Sequence, residues 1–178
     1  MLKKILFAVL AVVVIFAVYV ATRPASYRIE RSVVVKASPP ALFKKVVDFR
    51  NWPEWSPWAQ IDPAMKVDYA GPESGVGSVY HWKGNDKVGE GRMTITGAKP
   101  DEQIDIRLQF IKPWEQESLT VFTFHPDGRR NTKVTWAMTG ERDFVGKLFG
   151  LFMNMDAMVG PDFEKGLGAM KKTAEAGD

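Results

Sequence analysis

Few residues in this chain could do chemistry. It has no cysteine and only two histidines, His81 and His125. A serine nucleophile needs an oriented histidine beside it, and no G-x-S-x-G stretch accompanies either one. His125 precedes Pro126-Asp127-Gly128, so a solvated turn residue accounts for it. His81 lies between Tyr80 and Trp82 in a strand-like run. Successive strand side chains face opposite ways, so His81 points away from both rings. It reads as an outward or rim histidine, or alternatively as a pocket base. Glu90 and Arg92 are two apart and share a face, and Asp105 and Arg107 repeat the pattern. A solvated outer face with cross-strand ion pairs explains them. The alternative sets one pair in a cavity, where it orients a polar group on a ligand. His81, Glu90 and Arg92 are the catalytic candidates this reading yields.

Other chemistries find less. Two separated histidines do not make a metal site, so no metal is expected. Residues 140–147, GERDFVGK, hold five residues between their glycines, and Leu148 stands where a phosphate loop needs Ser or Thr. The GEG at 89–91 lacks the third glycine of a dinucleotide fingerprint and reads as a bulge or tight bend. No cofactor is expected.

Aromatic side chains are the stronger signal. NWPEWSPW, residues 51–58, holds three of the six tryptophans and two prolines. Prolines end helices and fix turns, while each indole brings more than ~150 Å² to bury. The segment is either a plug sealing one end of a core or a wall of a cavity, with Trp55 as the expected inward ring. Met153, Met155, Met158 and Met170 cluster in the last quarter. Flexible thioethers suit adaptable binding surfaces and also ordinary cores.

The elements that must position these residues follow from periodicity. Residues 27–37 are rich in β-branched residues and read as a strand. Ser38-Pro39-Pro40 then opens a short helix carrying Leu42, Phe43, Val46 and Val47 at helical spacing. From residue 65 six runs with a period of two follow, separated by Gly, Pro, Asn and Asp, which predicts an antiparallel meander. On the last run Val134, Trp136 and Met138 share the inward face. The end is helical: an apolar stretch from Phe144 to Met158 precedes Phe163, Leu167, Met170 and Ala174, one stripe of a helix.

The start is different in kind. Ile5 to Thr22 carries no charge and spans roughly 27 Å as a helix, close to a bilayer's hydrocarbon core. Cleavage after Ala21 would place Tyr19 where a small residue is needed, so an uncleaved anchor is expected. Residues 1–23 form this transmembrane signal-anchor and 24–178 the folded domain. Lys3 and Lys4 favour a cytoplasmic N-terminus, with the domain exported to the periplasmic or extracellular side. The chain holds 24 Lys and Arg against 21 Asp and Glu. Three of the bases fall in residues 1–23, so the domain divides evenly, 21 against 21. Beyond Arg129-Arg130, in a turn, nothing in it supplies a basic face for phosphates, and no nucleic acid is expected as a partner. No feature specifies an oligomeric state.

The layout resembles the START-like, or SRPBCC, superfamily, in particular its bacterial polyketide cyclase/dehydrase branch. SVVVKASPPALFKKVVDFRNWPEWSPW, GSVYHWKGNDKVGEGRMTI, TKVTWAMTG and GPDFEKGLGAMKK carry the resemblance in order, across residues 27–175. It implies an α+β helix-grip fold: a curved antiparallel sheet of about seven strands around a long C-terminal helix, with a hydrophobic cavity between them. The expected lining is Trp55, Tyr80, Trp82, Phe110, Trp136, Met155, Phe163 and Leu167. The implied function is binding of a hydrophobic small molecule or lipid by a membrane-anchored domain. A cyclase/dehydratase-like enzyme and a non-enzymatic interaction module with a filled cavity are the alternatives.

Overall fold

The apolar start folds as α1 (Leu2–Ala21). Its 20 residues make a helix about 30 Å long, long and apolar enough to cross a bilayer. Nearly all its side chains are exposed, but Val20, at the domain end, is buried. Residues 22–25 join it to β1 (Ser26–Val35). The computed structural model describes residues 1–176; Gly177 and Asp178, which the expected domain boundary includes, lie outside the described residues.

Seven strands form one antiparallel sheet in the order β1-β7-β6-β5-β4-β3-β2. The six period-two runs are β2 (Lys66–Ala70), β3 (Val79–Lys83), β4 (Glu90–Lys99), β5 (Gln103–Lys112), β6 (Gln116–Pro126) and β7 (Thr132–Glu141). Each pairs with the next, and β1 closes on β7 with Ile29 opposite Met138 and Val33 opposite Val134. Strand alternation sorts the side chains by face. Ile104 and Ile106 on β5, Phe122 and Phe124 on β6, and Val134 and Trp136 on β7 are buried on the inner face. Two register shifts in β4, at Glu90/Gly91 and Ile95/Gly97, are the kind of bulge that bends a strand.

The helix held by the sheet is α5 (Met155–Glu175), packed against β1 and β7. Asn154 caps its start, its side chain accepting from the backbone N–H of Asp156 and Ala157. The expected stripe of Phe163, Leu167, Met170 and Ala174 is buried. The rings of Trp136 and Phe163 stack with centroids 4.1 Å apart. The helical end is in two pieces, however. A short α4 (Phe144–Phe149) precedes α5, residues 150–154 separate them, and no residue of α4 is buried.

NWPEWSPW is more regular than its prolines suggest. The helix α2 (Pro39–Val47) is followed by a 3-10 helix, Phe49–Glu54, that contains Pro53, and by the single turn α3 (Trp58–Ile61). Besides its own turns, with Trp55 N and Ser56 N donating to Trp52 O, the segment is held by bonds to α2. Asn51 Nδ2 donates to Lys44 O (2.9 Å), Trp55 Nε1 to Lys45 O (3.1 Å), Trp52 Nε1 to Val46 O (3.0 Å), and Gly75 N to Val47 O (3.0 Å). The last four carbonyls of a helix have no partner within it. Here all four of α2 are satisfied, three of them by NWPEWSPW side chains.

Candidate functional site

A cavity of about 380 Å³ lies between the inner face of the sheet and α5. Trp82 and Tyr80 reach it from β3, Met93 from β4, and Leu108 and Phe110 from β5. Trp136 and Met138 line it from β7, and Met155, Val159 and Phe163 from α5. Trp52 and Trp58 close one wall, with Trp58 edge-on to Trp136 at 5.6 Å. The cavity opens between the β3–β4 loop at 86–89, Lys112-Pro113-Trp114 after β5, and the first turn of α5, where the lining Trp114 and Met158 are themselves exposed.

Four charged residues, Asp86, Lys87, Lys112 and Asp162, also line the space, the first three of them exposed, and a group of uncharged polar side chains stands together. Tyr27 on β1 and Gln116 on β6 both line the cavity. Gln116 Nε2 donates to Tyr27 Oη at 2.9 Å, and that oxygen also lies 2.9 Å from Ser118 Oγ. Gly140, opposite Tyr27 in the register, gives the phenol its room: a Cβ there would stand 2.6 Å from the Tyr27 hydroxyl. Ser56 and Thr120 are buried and also face the space. Burial, with a smaller contribution from Tyr69, pushes the Tyr80 phenol up to about 12, so it stays a neutral group at physiological pH. The arrangement suits an apolar or aromatic body with a small polar end.

Six of the eight expected ligand contacts line the cavity: Tyr80, Trp82, Phe110, Trp136, Met155 and Phe163. Trp55 and Leu167 do not. Trp55 is fully buried among Trp52, Phe122 and Trp136, with its N–H spent on Lys45 O. It backs the wall and does not form it. Leu167 lies one turn beyond Phe163 on α5, inside the core cluster. Sequence reasoning passed over Tyr27, Met93, Leu108 and Gln116, while Trp52 and Trp58 belong to the segment it offered as a wall or a plug. Met93 and Leu108 share the strand faces of Ile95 and Phe110, so period two could have found them. Gln116 is in phase with Phe122 and Phe124, and its polarity hid it.

The three catalytic candidates are gathered on the opposite face of the sheet. His81 pairs in register with Arg92, and its ring nitrogens approach Asp68 at 3.8 Å and Glu90 at 3.6 Å. Glu90 also meets Lys112 at 3.4 Å and Lys83 at 3.9 Å. Desolvation works against its charge, but Lys112, Lys83 and His81 outweigh it and hold the carboxyl below its usual range. Arg92 is exposed. None of the three lines the cavity. Among the described residues no group of His, Cys, Asp and Glu is placed to hold a metal ion.

A sheet gripping a C-terminal helix over an apolar cavity defines a START-like, helix-grip domain. The chain belongs to the family described as polyketide cyclase / dehydrase and lipid transport, whose model matches residues 26–175. Solved structures share the fold at low identity. Norcoclaurine synthase from Thalictrum flavum is 13% identical with a TM-score of 0.62, covering 86% of this chain and 96% of that one. Aha1 from Colwellia psychrerythraea is 17% identical with a TM-score of 0.61, covering 85% and 98%. A protein from Chromobacterium violaceum is 14% identical with a TM-score of 0.59, covering 86% and 99%. No curated protein matches the sequence.

Proposed function

We propose that this protein is a membrane-anchored binding domain that holds a hydrophobic small molecule or lipid in the cavity between its sheet and α5. The observation that carries the reading is the cavity itself: about 380 Å³, walled mainly by indoles, phenyl rings and thioethers, with the Tyr27–Gln116 pair and a few charged side chains among its lining. Ligand sites are mostly apolar with a small number of placed polar groups, and they fall in this size range. Helix α1 is the anchor, its N-terminus cytoplasmic and the domain on the exported side, as Lys3 and Lys4 favour. Norcoclaurine synthase has been solved in complex with dopamine and hydroxybenzaldehyde, so the fold accommodates aromatic ligands in at least one relative. Catalysis by His81, Glu90 and Arg92 has no support from their placement behind the sheet.

The test is to purify the full chain in lipid nanodiscs, extract it with organic solvent and identify what co-purifies by mass spectrometry. Met93→Trp serves as the control, because it fills the cavity from the middle of β4. A compound recovered with the wild type and lost with the folded variant supports the reading. Equal recovery from both would sink it.

A further inference from the structure

Helix α4 poses a packing problem. Of its six residues, Phe144, Val145 and Phe149 are 49–58% exposed, and none is buried. Phe152 and Met153 follow in the connecting loop, 78% and 43% exposed. Met158 then continues the surface to the cavity mouth, with exposed Trp114 on the mouth's opposite rim. Contiguous exposed apolar surface of this kind marks a surface that something covers. A short helix with three residues exposed and three only partly buried gains little from the protein beneath it.

The position of α4 says what covers it. It packs against α1, and Lys147 Nζ donates to Ala21 O, the last residue of α1, at 3.0 Å. Val20, one residue earlier, is buried, while nearly all the rest of α1 is exposed. The link at 22–25 is tied back to the domain, where Arg142 N donates to Ala25 O at 2.8 Å. Thus α4 stands beside the point where α1 leaves the domain, and that point lies at the bilayer surface if α1 spans.

We propose that α4 and the loop after it, Phe144 to Met153, are a membrane-docking face that lies in the interfacial layer of the bilayer holding α1. The docking sets the cavity mouth, between Met158 and Trp114, against the acyl region, so that an apolar ligand exchanges laterally with the lipid. This rests on the reading of α1 as an anchor. Aromatic and aliphatic side chains on a helix in the interfacial plane are the usual form of such contacts. Among the described residues α4 carries one basic side chain, Lys147, which is engaged with α1, so the attraction is apolar and needs no anionic lipid.

The chain has no cysteine, so single cysteines can be spin-labelled without background. Val13→Cys, Phe152→Cys and Arg92→Cys are reconstituted as full chains in zwitterionic phosphatidylcholine vesicles. Collision rates with oxygen, which favours lipid, and with a water-soluble nickel complex are then compared. The expected result is lipid-like behaviour at 13, lipid-like or interfacial behaviour at 152 with nickel collisions several-fold below those at 92, and water exposure at 92. Lipid at 13 with water at 152 overturns the docking face and leaves the anchor standing. Water at 13 overturns the anchor, and the docking proposal with it. Shielding at 152 from both reagents, with dipolar broadening between labels, assigns the patch to a second copy of the chain and also overturns the proposal. The charged variant Phe149→Glu/Phe152→Glu should slow transfer of a pyrene-labelled fatty acid between vesicles and leave the circular-dichroism spectrum unchanged. Unchanged transfer overturns the lateral exchange route.

Discussion

The indole N–H groups of NWPEWSPW are structural fasteners, and this sets what substitution there must do. Trp55 is fully buried and donates to Lys45 O. Trp55→Phe keeps an aromatic body but strands that carbonyl inside the core, where an unmet acceptor costs about 1–3 kcal/mol. Denaturant unfolding should show a loss of that order, with ligand recovery from folded protein unchanged because the ring does not line the cavity. A large loss of ligand with unaltered stability would place Trp55 in the wall after all. Tyr80 behaves differently. Its folded-state phenol sits at about 12, above the ordinary 10.0. A raised value means stability that is complete below pH 10 and drains away as pH climbs toward 12, because the unfolded chain ionises first. Tyr80→Phe should therefore move the alkaline unfolding limb upward. Tyr69, also raised and 5.7 Å from Tyr80, should leave a smaller residual limb. An unchanged limb in the variant would refute the assignment.

Among the elements, α5 has a built-in weak point with a brace across it. Pro161 lies inside the helix next to Gly160, and a proline there removes a backbone hydrogen bond. Arg31, reaching over from β1, makes paired bonds to Asp156 at 2.8 and 2.9 Å and another to Glu164 at 2.6 Å. It thus ties the turn before the break to the turn after it. Gly160 makes the crossing possible, since a Cβ there would overlap the Arg31 guanidinium. Arg31→Met should raise amide exchange in residues 155–160, the cavity side of the break, and leave 165–175 protected. Uniform protection along α5 would show that the brace is dispensable. The Arg31 bonds, working against some desolvation, hold the Asp156 carboxyl below its ordinary 3.8. A depressed value gives stability that is present above about pH 4 and lost as pH falls through the folded value. The difference between wild type and Asp156→Asn should therefore be constant near neutrality and shrink only in acid. The stripe of α5 was legible because burial against the sheet imposes helical period on Phe163, Leu167, Met170 and Ala174. Arg31 was not, because a charge reaching across a strand to a helix 125 residues away leaves no local pattern. Likewise the stretch from Phe144 read only as the start of an apolar helical end, and tertiary placement alone shows that α4 stands apart from α5 and faces outward.

For the molecule as a whole, the division of charge decides how it meets a membrane. Residues 24–178 carry equal numbers of acids and bases, and the excess of three positive charges belongs to residues 1–23. A domain held by surface charge would let go in salt, because screening at 1 M shortens the electrostatic reach to about 3 Å. A domain held by α1 and the apolar face of α4 would not, since apolar burial is not screened and excluded salts strengthen it. The antiparallel meander and its inner faces could be read from alternation in the strands, because each strand buries one face; the helix-grip fold and part of the cavity wall followed from the resemblance. The mouth could not be read, because it is assembled from the β3–β4 loop, Trp114 and the first turn of α5, which only the folded domain brings together. That assembly and the anchor stand on one side of the domain, so attachment and ligand exchange are the same geometric fact in this reading. Vesicle flotation of the full chain should give equal recovery in the lipid fraction at 0.1 and 1 M salt, and on phosphatidylcholine alone as on mixtures with anionic lipid; only detergent should release it. Release by salt would mean that the basic flanks Lys3, Lys4 and Arg23 hold the protein by charge, and α1 would then have to be read as a helix lying on a surface.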